Sequence, residues 1–452
     1  MVQLWNRESA QWKIQLELGG DAMSFRMGDE PRQLLVGLGE KEKVSGEQLR
    51  CAGAKAVKSV QELGGESAVL DAAAAVEALG AEGLAALVQG AGMAQYKRET
   101  WKEQKKEERF DLYLTGADVE NAQAVVDEAN VLVKSVCFAR DLTNCPANKL
   151  TPVMMAERMS EAAKAVGLEV QVLDENETRE LGMEAFHAVG DSSANPPRLI
   201  VLRWKGGEAE QAPIALVGKG VCFDSGGYCL KPGRGMEGMT GDMAGGAAVC
   251  GAILALAENK VPVNVTAVIP AVENRISDSS FLPSYVIGSM AGKTIEVGNT
   301  DAEGRLILVD AITYAIRKEN ACKVVDIATL TGAIARMLGG VASGTMSNDD
   351  DFYAELEAAA AHSGEKFWRM PSFPEYKKLI ETPAADLRNT SEGAGAIAAG
   401  MFIGAFAEDK PWIHLDIAGT GWTHRGGKEY QCKGATGSGV TTLYELCKAM
   451  AK

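Results

Sequence analysis

The segment Asn299-Thr300-Asp301-Ala302-Glu303-Gly304-Arg305-Leu306 places two carboxylates and a guanidinium at i, i+2 and i+4. On an extended or looped backbone alternate side chains point the same way, so Asp301, Glu303 and Arg305 can converge on one spot. On a helix, Asp301 and Glu303 would instead face nearly opposite sides. Carboxylates held close repel one another unless a cation sits between them. A pair of divalent metal ions answers that need and leaves Arg305 to hold an anion beside them. Taken alone, a D-x-E-x-R run is more commonly a solvated charged turn. A second segment shifts that weighting.

It is Val217-Gly218-Lys219-Gly220-Val221-Cys222-Phe223-Asp224-Ser225-Gly226-Gly227-Tyr228-Cys229-Leu230-Lys231-Pro232, followed by Met239-Thr240-Gly241-Asp242-Met243. The apolar run 212–217 reads as a buried strand. The chain is then expected to emerge into glycine-rich backbone carrying Lys219, Asp224, Lys231 and Asp242, because glycine lets backbone and side chains crowd a small volume. Asp242 reads as the acidic start of an Ala/Gly-rich helix running to about residue 258. Individually these residues have ordinary readings, a solvated lysine or a helix cap.

Together the two segments resemble the leucyl aminopeptidase family, the cytosolic dinuclear zinc peptidases of the M17 type. The resemblance rests on N-T-D-A-E-G-R-L and V-G-K-G-x-x-F-D-S-G-G-x-x-L-K-P and extends through Asp326-Ile-Ala-Thr-Leu-Thr-Gly332. It covers the chain from about Asp141 to the C-terminus, and Arg140-Asp-Leu-Thr-Asn144 looks like the family's entry into its catalytic domain. The N-terminal part is similar to the family only in size and α/β character. The resemblance implies a metal-dependent aminopeptidase that removes N-terminal residues, leucine and other apolar ones preferred. By motif position it implies that Lys219, Asp224, Asp242 and Glu303 hold a tight metal and that Asp224, Asp301 and Glu303 hold an exchangeable one. Lys231 and Arg305 would be the catalytic residues that are not ligands, Lys231 as electrophile and Arg305 as holder of a bicarbonate general base. Thr240 departs from the pattern, which often has lysine there. The family further implies a homohexamer built from two trimers, with sites facing an inner cavity.

The chemistry can also be argued from the residues. Zinc commonly takes His, Cys and carboxylate ligands; here it would meet four carboxylates and a lysine. An amine of ordinary pKa about 10.4 coordinates at neutral pH only if a dication and burial depress it. Oxygen-rich ligation also suits Mn²⁺ or Mg²⁺, so the looser position is expected to exchange metals. Two metals about 3.5–4 Å apart can share and activate a water, and a protonated Lys231 can stabilise the oxyanion. The substrate's free α-amine would sit beside Asp242, which restricts the enzyme to short peptides with a free N-terminus. Met239, Thr329, Leu330, Gly332 and Met401 are candidate substrate contacts, with core packing the alternative for the methionines.

Other chemistries find little support. None of His187, His362, His414 and His424 forms H-E-x-x-H, and His414 reads as a packed or hydrogen-bonded strand residue. Ser225 lies outside any G-x-S-x-G elbow. Nine cysteines at irregular spacings, without a C-x-x-C pair, read as reduced thiols of a cytoplasmic compartment. A non-catalytic homologue of the same fold, or a dinuclear phosphoesterase, remains as the alternative. The net charge of −15 weighs against nucleic acid or anionic membranes as partners. The mixed run 97–109 offsets its own basic residues. No apolar run approaches the roughly 20 residues of a membrane helix.

These residues need a scaffold. At 452 residues, 46% hydrophobic and 24% charged, the chain reads as α/β in two domains, each a mainly parallel or mixed sheet flanked by helices. The boundaries expected are 1–116 for a non-catalytic N-terminal domain, 117–140 for a connecting helix and 141–452 for the catalytic domain. Strands are expected at 32–37, 67–70 and 110–114, then at 168–173, 198–204, 212–217, 263–269, 324–328 and 412–417. Helices are expected at 46–63, 72–92, 118–139, 152–166 and 306–318. Such a sheet would gather the metal residues outside the carboxyl ends of its strands.

Overall fold

A computed structural model describes every residue except 5–9, 20, 28–31, 104–108, 425 and 452, so part of the charged run 97–109 lies outside the described residues. The chain forms two compact units, Met1–Cys137 with Thr423–Gly434, and Phe138–Trp422 with Ala435–Lys452. The division falls inside the helix Ala122–Asn144, which covers most of the stretch read as connecting helix.

The first unit is a six-stranded sheet in the order Val2–Leu4, Asp111–Thr115, Ser67–Asp71, Trp12–Leu18, Gln33–Gly39, Phe25–Met27. All neighbours are parallel except the last pair. The helices Gly46–Glu62 and Ala73–Met93 pack against each other. Small residues allow this approach: a Cβ on Gly90 would lie 2.0 Å from the Arg50 carbonyl oxygen. Three of the strands were legible in the sequence, whereas Val2–Leu4, Trp12–Leu18 and Phe25–Met27 were missed. In Trp12–Leu18 the signal existed, since Trp12, Ile14 and Leu16 are buried and Lys13 and Gln15 exposed, the period-2 alternation of a strand.

The second unit is built on a larger mixed sheet. Its inner strands, Trp412–Asp416, Lys323–Ala328, Ile214–Gly218 and Asn264–Asn274, are parallel neighbours in that order. Antiparallel strands flank them on both sides, Ser343–Ser347 and Arg198–Lys205. Three of the inner strands are buried at every residue, and of these Ile214–Gly218 reads as a continuous apolar run, as a strand covered on both faces does. The helices Ala244–Glu258 and Gly304–Arg317 pack on these strands. At Gly245 a Cβ would stand 2.1 Å from the Ile327 carbonyl oxygen, so the first turn of its helix abuts strand backbone. The stretch Gly233–Glu258 has the length and apolar composition of a bilayer span, but 89% of its most apolar window is buried in the fold, and its long helix is only Ala244–Glu258.

Two local expectations are corrected. The glycine-rich backbone after Ile214–Gly218 is not all loop. Gly220–Asp224 is a second strand, and both segments pair along the single long strand Asn264–Asn274. Lys219 therefore occupies the one-residue break, and Asp224 the end of the second segment. Asp242 does not open the following helix, whose N-cap is Met243; it ends the short 3-10 turn Met239–Gly241, which frees its carboxylate for other partners.

The helix Gly304–Arg317 is anchored by Asp310, which is fully buried. Its two carboxyl oxygens accept the backbone N–H groups of Phe186 at 2.9 Å and Met290 at 2.8 Å. Burial pushes its pKa up to about 7 against the pull of those donors. Asp310→Ala leaves two buried N–H groups without partners and is expected to cost on the order of 3 kcal/mol in urea unfolding. Because the folded-state pKa is raised, this carboxyl's contribution is full below its ordinary pKa and is lost as pH rises through about 7. The stability gap between wild type and Asp310→Ala should accordingly narrow with rising pH.

Candidate active site

Four carboxylates and two ammoniums meet outside the carboxyl ends of the inner strands, where ligand sites of open α/β sheets form. Lys219 lies in the strand break, its own N–H donating to the Ile327 carbonyl on the neighbouring strand. Its ammonium, almost fully buried, is 2.8 Å from Asp242 and 2.8 Å from Glu303, and donates to the Thr329 carbonyl at 3.2 Å. The Thr329 hydroxyl donates to Asp242 at 2.8 Å. Lys231 pairs with Asp224 at 2.7 Å and with Asp301. It can reach back because the turn after Asp224 runs through two residues of positive φ, Gly226 at 86° and Gly227 at 62°, a conformation glycine adopts without strain.

Of the extended or looped backbone expected for the acidic segment 299–306, the structure has the looped form, and the helix starts earlier than the expected residue 306, at Gly304. Asp301 lies in a turn, Glu303 is the helix N-cap with φ −77° and ψ −35°, and Arg305 is in the first helical turn. The convergence arises from this turn and the packing of its helix, not from strand-like alternation. Asp301 and Glu303 consequently grip different lysines.

Support comes from neutral groups. Asp224 Oδ1 accepts from the Gly226 N–H at 2.8 Å and from Asn274 Nδ2 at 2.9 Å, which turns Oδ2 toward Lys231. Asn274 also donates to the Thr300 carbonyl at 3.0 Å. The Thr300 hydroxyl donates to the Gly226 carbonyl and accepts from the Cys229 N–H, tying the two sequence motifs together. Leu330 N–H, Thr331 N–H and the Thr331 hydroxyl all donate to Asp416, which shapes the segment carrying Thr329 and starts the helix Gly332–Leu338. His414 is likewise structural: its Nδ1 is 2.6 Å from Asp326, deep in the sheet.

The residues present fit divalent cations. Carboxylate oxygens of Asp224, Asp242 and Glu303 come within 4.8 Å of one another, and all three residues are buried. Asp242 Oδ2, Glu303 Oε1 and Asp301 Oδ1 stand at ion-pair distance from lysines but outside hydrogen-bonding alignment. Burial, and then repulsion from Glu303 and Asp242, hold the Asp224 carboxyl well above the usual range. Burial raises Asp242 to about 7 despite Lys219 and also raises Asp301. Only Glu303 is lowered, where Lys219 and Lys231 outweigh its burial. Burial alone would lower both lysines, but the surrounding acids raise them. Without a dication the cage thus favours a charged Lys219, and coordination by that amine requires loss of a proton. Arg305 is buried, its Nη1 donates to the Asn389 carbonyl at 2.7 Å, and its Nε has no partner. Burial lowers its pKa to about 10, although Glu303 and Asp416 pull the other way.

Of the expected substrate contacts, Thr329 touches the cage directly. Met239 opens the 3-10 turn that ends at Asp242, and Leu330 and Gly332 follow Thr329. Met401 is half-buried on the helix Gly395–Gly404. Sequence reasoning missed Asn274, Asp416 and Asn389. Asp416 carried a signal, a polar residue alternating with His414 and Trp412 on a fully buried strand. At Gly304, between Glu303 and Arg305, a Cβ would lie 2.5 Å from Lys219 Cε and 2.7 Å from its Nζ.

Comparisons with known proteins place the chain in a family. Residues 137–444 match the catalytic domain of the cytosol aminopeptidase family, and residues 23–105 match that family's N-terminal domain. A probable cytosol aminopeptidase of Clostridium perfringens is 46% identical over 93% of this chain and 86% of its own length. One from Alkaliphilus oremlandii is 42% identical over 96% and 89%. Among solved structures, the bottromycin maturation enzyme BotP in complex with Mn superposes with a TM-score of 0.90 at 31% identity, covering 98% of this chain and all of the other.

Gly304→Ala should spare the fold, since the clash falls on the end of a flexible side chain, but push Lys219 out of place. Zn²⁺ affinity measured by chelator competition is expected to fall about 10–100-fold, the usual cost of disturbing a ligand's support.

Proposed function

The chain belongs to the cytosol aminopeptidase family, and from that premise we propose that it is a metal-dependent aminopeptidase that removes leucine and other apolar residues from the N-terminus of short peptides. The observation that carries this reading is the buried cage of Asp224, Asp242, Asp301 and Glu303 closed around Lys219 and Lys231. Four carboxylates facing two ammoniums leave excess negative charge in a largely buried site, which is relieved either by protonation of the carboxyls or by entry of further cations.

Lys219, Asp224, Asp242 and Glu303 would hold one divalent ion, and Asp224, Asp301 and Glu303 the other, with Zn²⁺, Mn²⁺ or Mg²⁺ in the looser position. When bound, such a pair supplies Lewis acidity and an activated water. The chain's own residues do the rest. Asp242 offers a carboxylate to the substrate's α-amine, which explains the restriction to free N-termini. Lys231, kept protonated by Asp224 and Asp301, offers a donor to the oxygen on which charge develops. Arg305 has an uncommitted Nε and one fixed Nη1, which suits a bicarbonate ion able to serve as general base. Met239, Leu330, Gly332 and Met401 would line the side-chain pocket. Assembly into a hexamer, a cytoplasmic location and the absence of nucleic-acid partners complete the proposal.

Leucine anilide should be hydrolysed when Mn²⁺ or Zn²⁺ is supplied, and its N-acetylated form should not. Phosphoester turnover without anilide turnover would overturn the reading, as would silence on both. Lys231→Ala is expected to keep its metals and lose about 10²–10³-fold in kcat, while Asp224→Ala should lose metal, as measured by elemental analysis of the purified protein. Equal metal loss in both would contradict the division of roles.

A further inference from the structure

The turn 298–302 presents Asp301 and leads into Glu303, yet it lies between the strand Ile295–Glu296 and the helix Gly304–Arg317 and belongs to neither. Its backbone polar groups therefore need partners from elsewhere. Asn389, which is fully buried, supplies them. Its Oδ1 accepts from the Gly298 N–H at 2.8 Å and the Asn299 N–H at 3.2 Å. Its Nδ2 donates to the Asn299 carbonyl at 2.8 Å and the Ala302 carbonyl at 3.3 Å. A carboxamide has two donors and two acceptor lone pairs, and here all are spent on one turn, bracketing Thr300 and Asp301 from both sides. The main-chain carbonyl of the same residue accepts Arg305 Nη1 at 2.7 Å.

We propose that Asn389 is a positioning residue that sets both halves of the site, its side chain fixing the turn that carries the acidic ligands and its carbonyl orienting Arg305. Asn389 is itself held firmly. Leu387–Arg388 pairs in parallel with Ile295–Glu296, and the Asn389 N–H donates to the Glu296 carbonyl at 3.1 Å. The clamp thus shares a small sheet with the turn it grips. Chemistry selects the residue type. Aspartate would lose both donors and add a fifth carboxylate to an already overcharged cage. Glutamine would carry its amide one carbon too far to span the turn from the same backbone position. Because ligand supports are neutral here, the cage's charge stays available for cations.

The role as ligand support rests on the aminopeptidase reading; the clamp itself does not. The test uses the full chain with Asn389→Ala and, as a milder change that keeps a hydroxyl, Asn389→Ser. Hydrogen exchange on the metal-free chain should speed up at residues 298–302 by about tenfold or more while the helix Ala244–Glu258 keeps its protection, as expected for local rather than global opening. Zn²⁺ affinity from chelator competition should drop about 10–100-fold. At saturating metal, kcat for leucine anilide should fall with KM nearly unchanged, because Arg305 is loosened as well. Wild-type exchange and wild-type affinity in a folded variant would overturn the proposal. So would global unfolding of both variants, which would make Asn389 a purely structural residue. A wild-type chain that binds no divalent metal would end the aminopeptidase reading, while the exchange result would still decide the clamp.

Discussion

Excess negative charge in a largely buried pocket is the constraint on which the site depends. Asp224, Asp242 and Glu303 are nearly inaccessible, and their oxygens are gathered within a few ångströms. Each would be costly alone in such surroundings. Lys219 and Lys231 offset part of the charge, and the remainder appears as carboxyl groups pushed toward protonation, Asp224 and Asp242 foremost. A site in this state is strained toward cation binding. The same acids that would grip a metal keep Lys219 charged in its absence, so entry of a dication and loss of the Lys219 proton are coupled.

Holding such a cage together requires a surrounding structure that adds no charge. The chain uses amides, hydroxyls and backbone for this. Asn274 holds Asp224, Thr300 joins the glycine turn to the acidic turn, Asn389 spans the latter, and Thr329 faces Asp242. Asp416 is the charged exception, and its carboxylate is absorbed by backbone and hydroxyl donors of Leu330, Thr331 and Ala418. Buried polar networks of this kind are stabilising only when nearly complete, and here the buried polar atoms left without a hydrogen bond at the site are three cage oxygens, Arg305 Nε and, within the supports, Asn274 Oδ1.

The sheet supplies the geometry. One long strand, Asn264–Asn274, templates two consecutive short ones, and the residue between them points a lysine into the cage. The helix Gly304–Arg317 begins where Glu303 ends the acidic turn, and Gly304 leaves room for that lysine. Close approach, of backbone to backbone at Gly245 and of the Lys219 side chain to backbone at Gly304, is what glycine accomplishes at the site.

Much of this was legible in the sequence. Apolar runs marked the inner strands, Ala/Gly-rich stretches marked the close-packed helices, and the two motifs named every charged member of the cage, because residue type and local spacing are properties of the chain itself. Some readings failed for local reasons. Gly220–Asp224 looked like loop because glycines preceded and followed it, the edge strands Val2–Leu4 and Phe25–Met27 of the first unit are only three residues long, and the alternation of the interior strand Trp12–Leu18 was left unweighed. The supports could not be read at all. Asn389 lies about ninety positions from the turn it holds, Asn274 some fifty from Asp224, and Asp416 some eighty-five from Thr331, in segments with no distinguishing pattern. The sequence alone determined which charges would gather and what they would want. Only the tertiary structure decided which neutral groups hold them there, because a hydrogen bond between distant segments leaves no trace in the spacing of either.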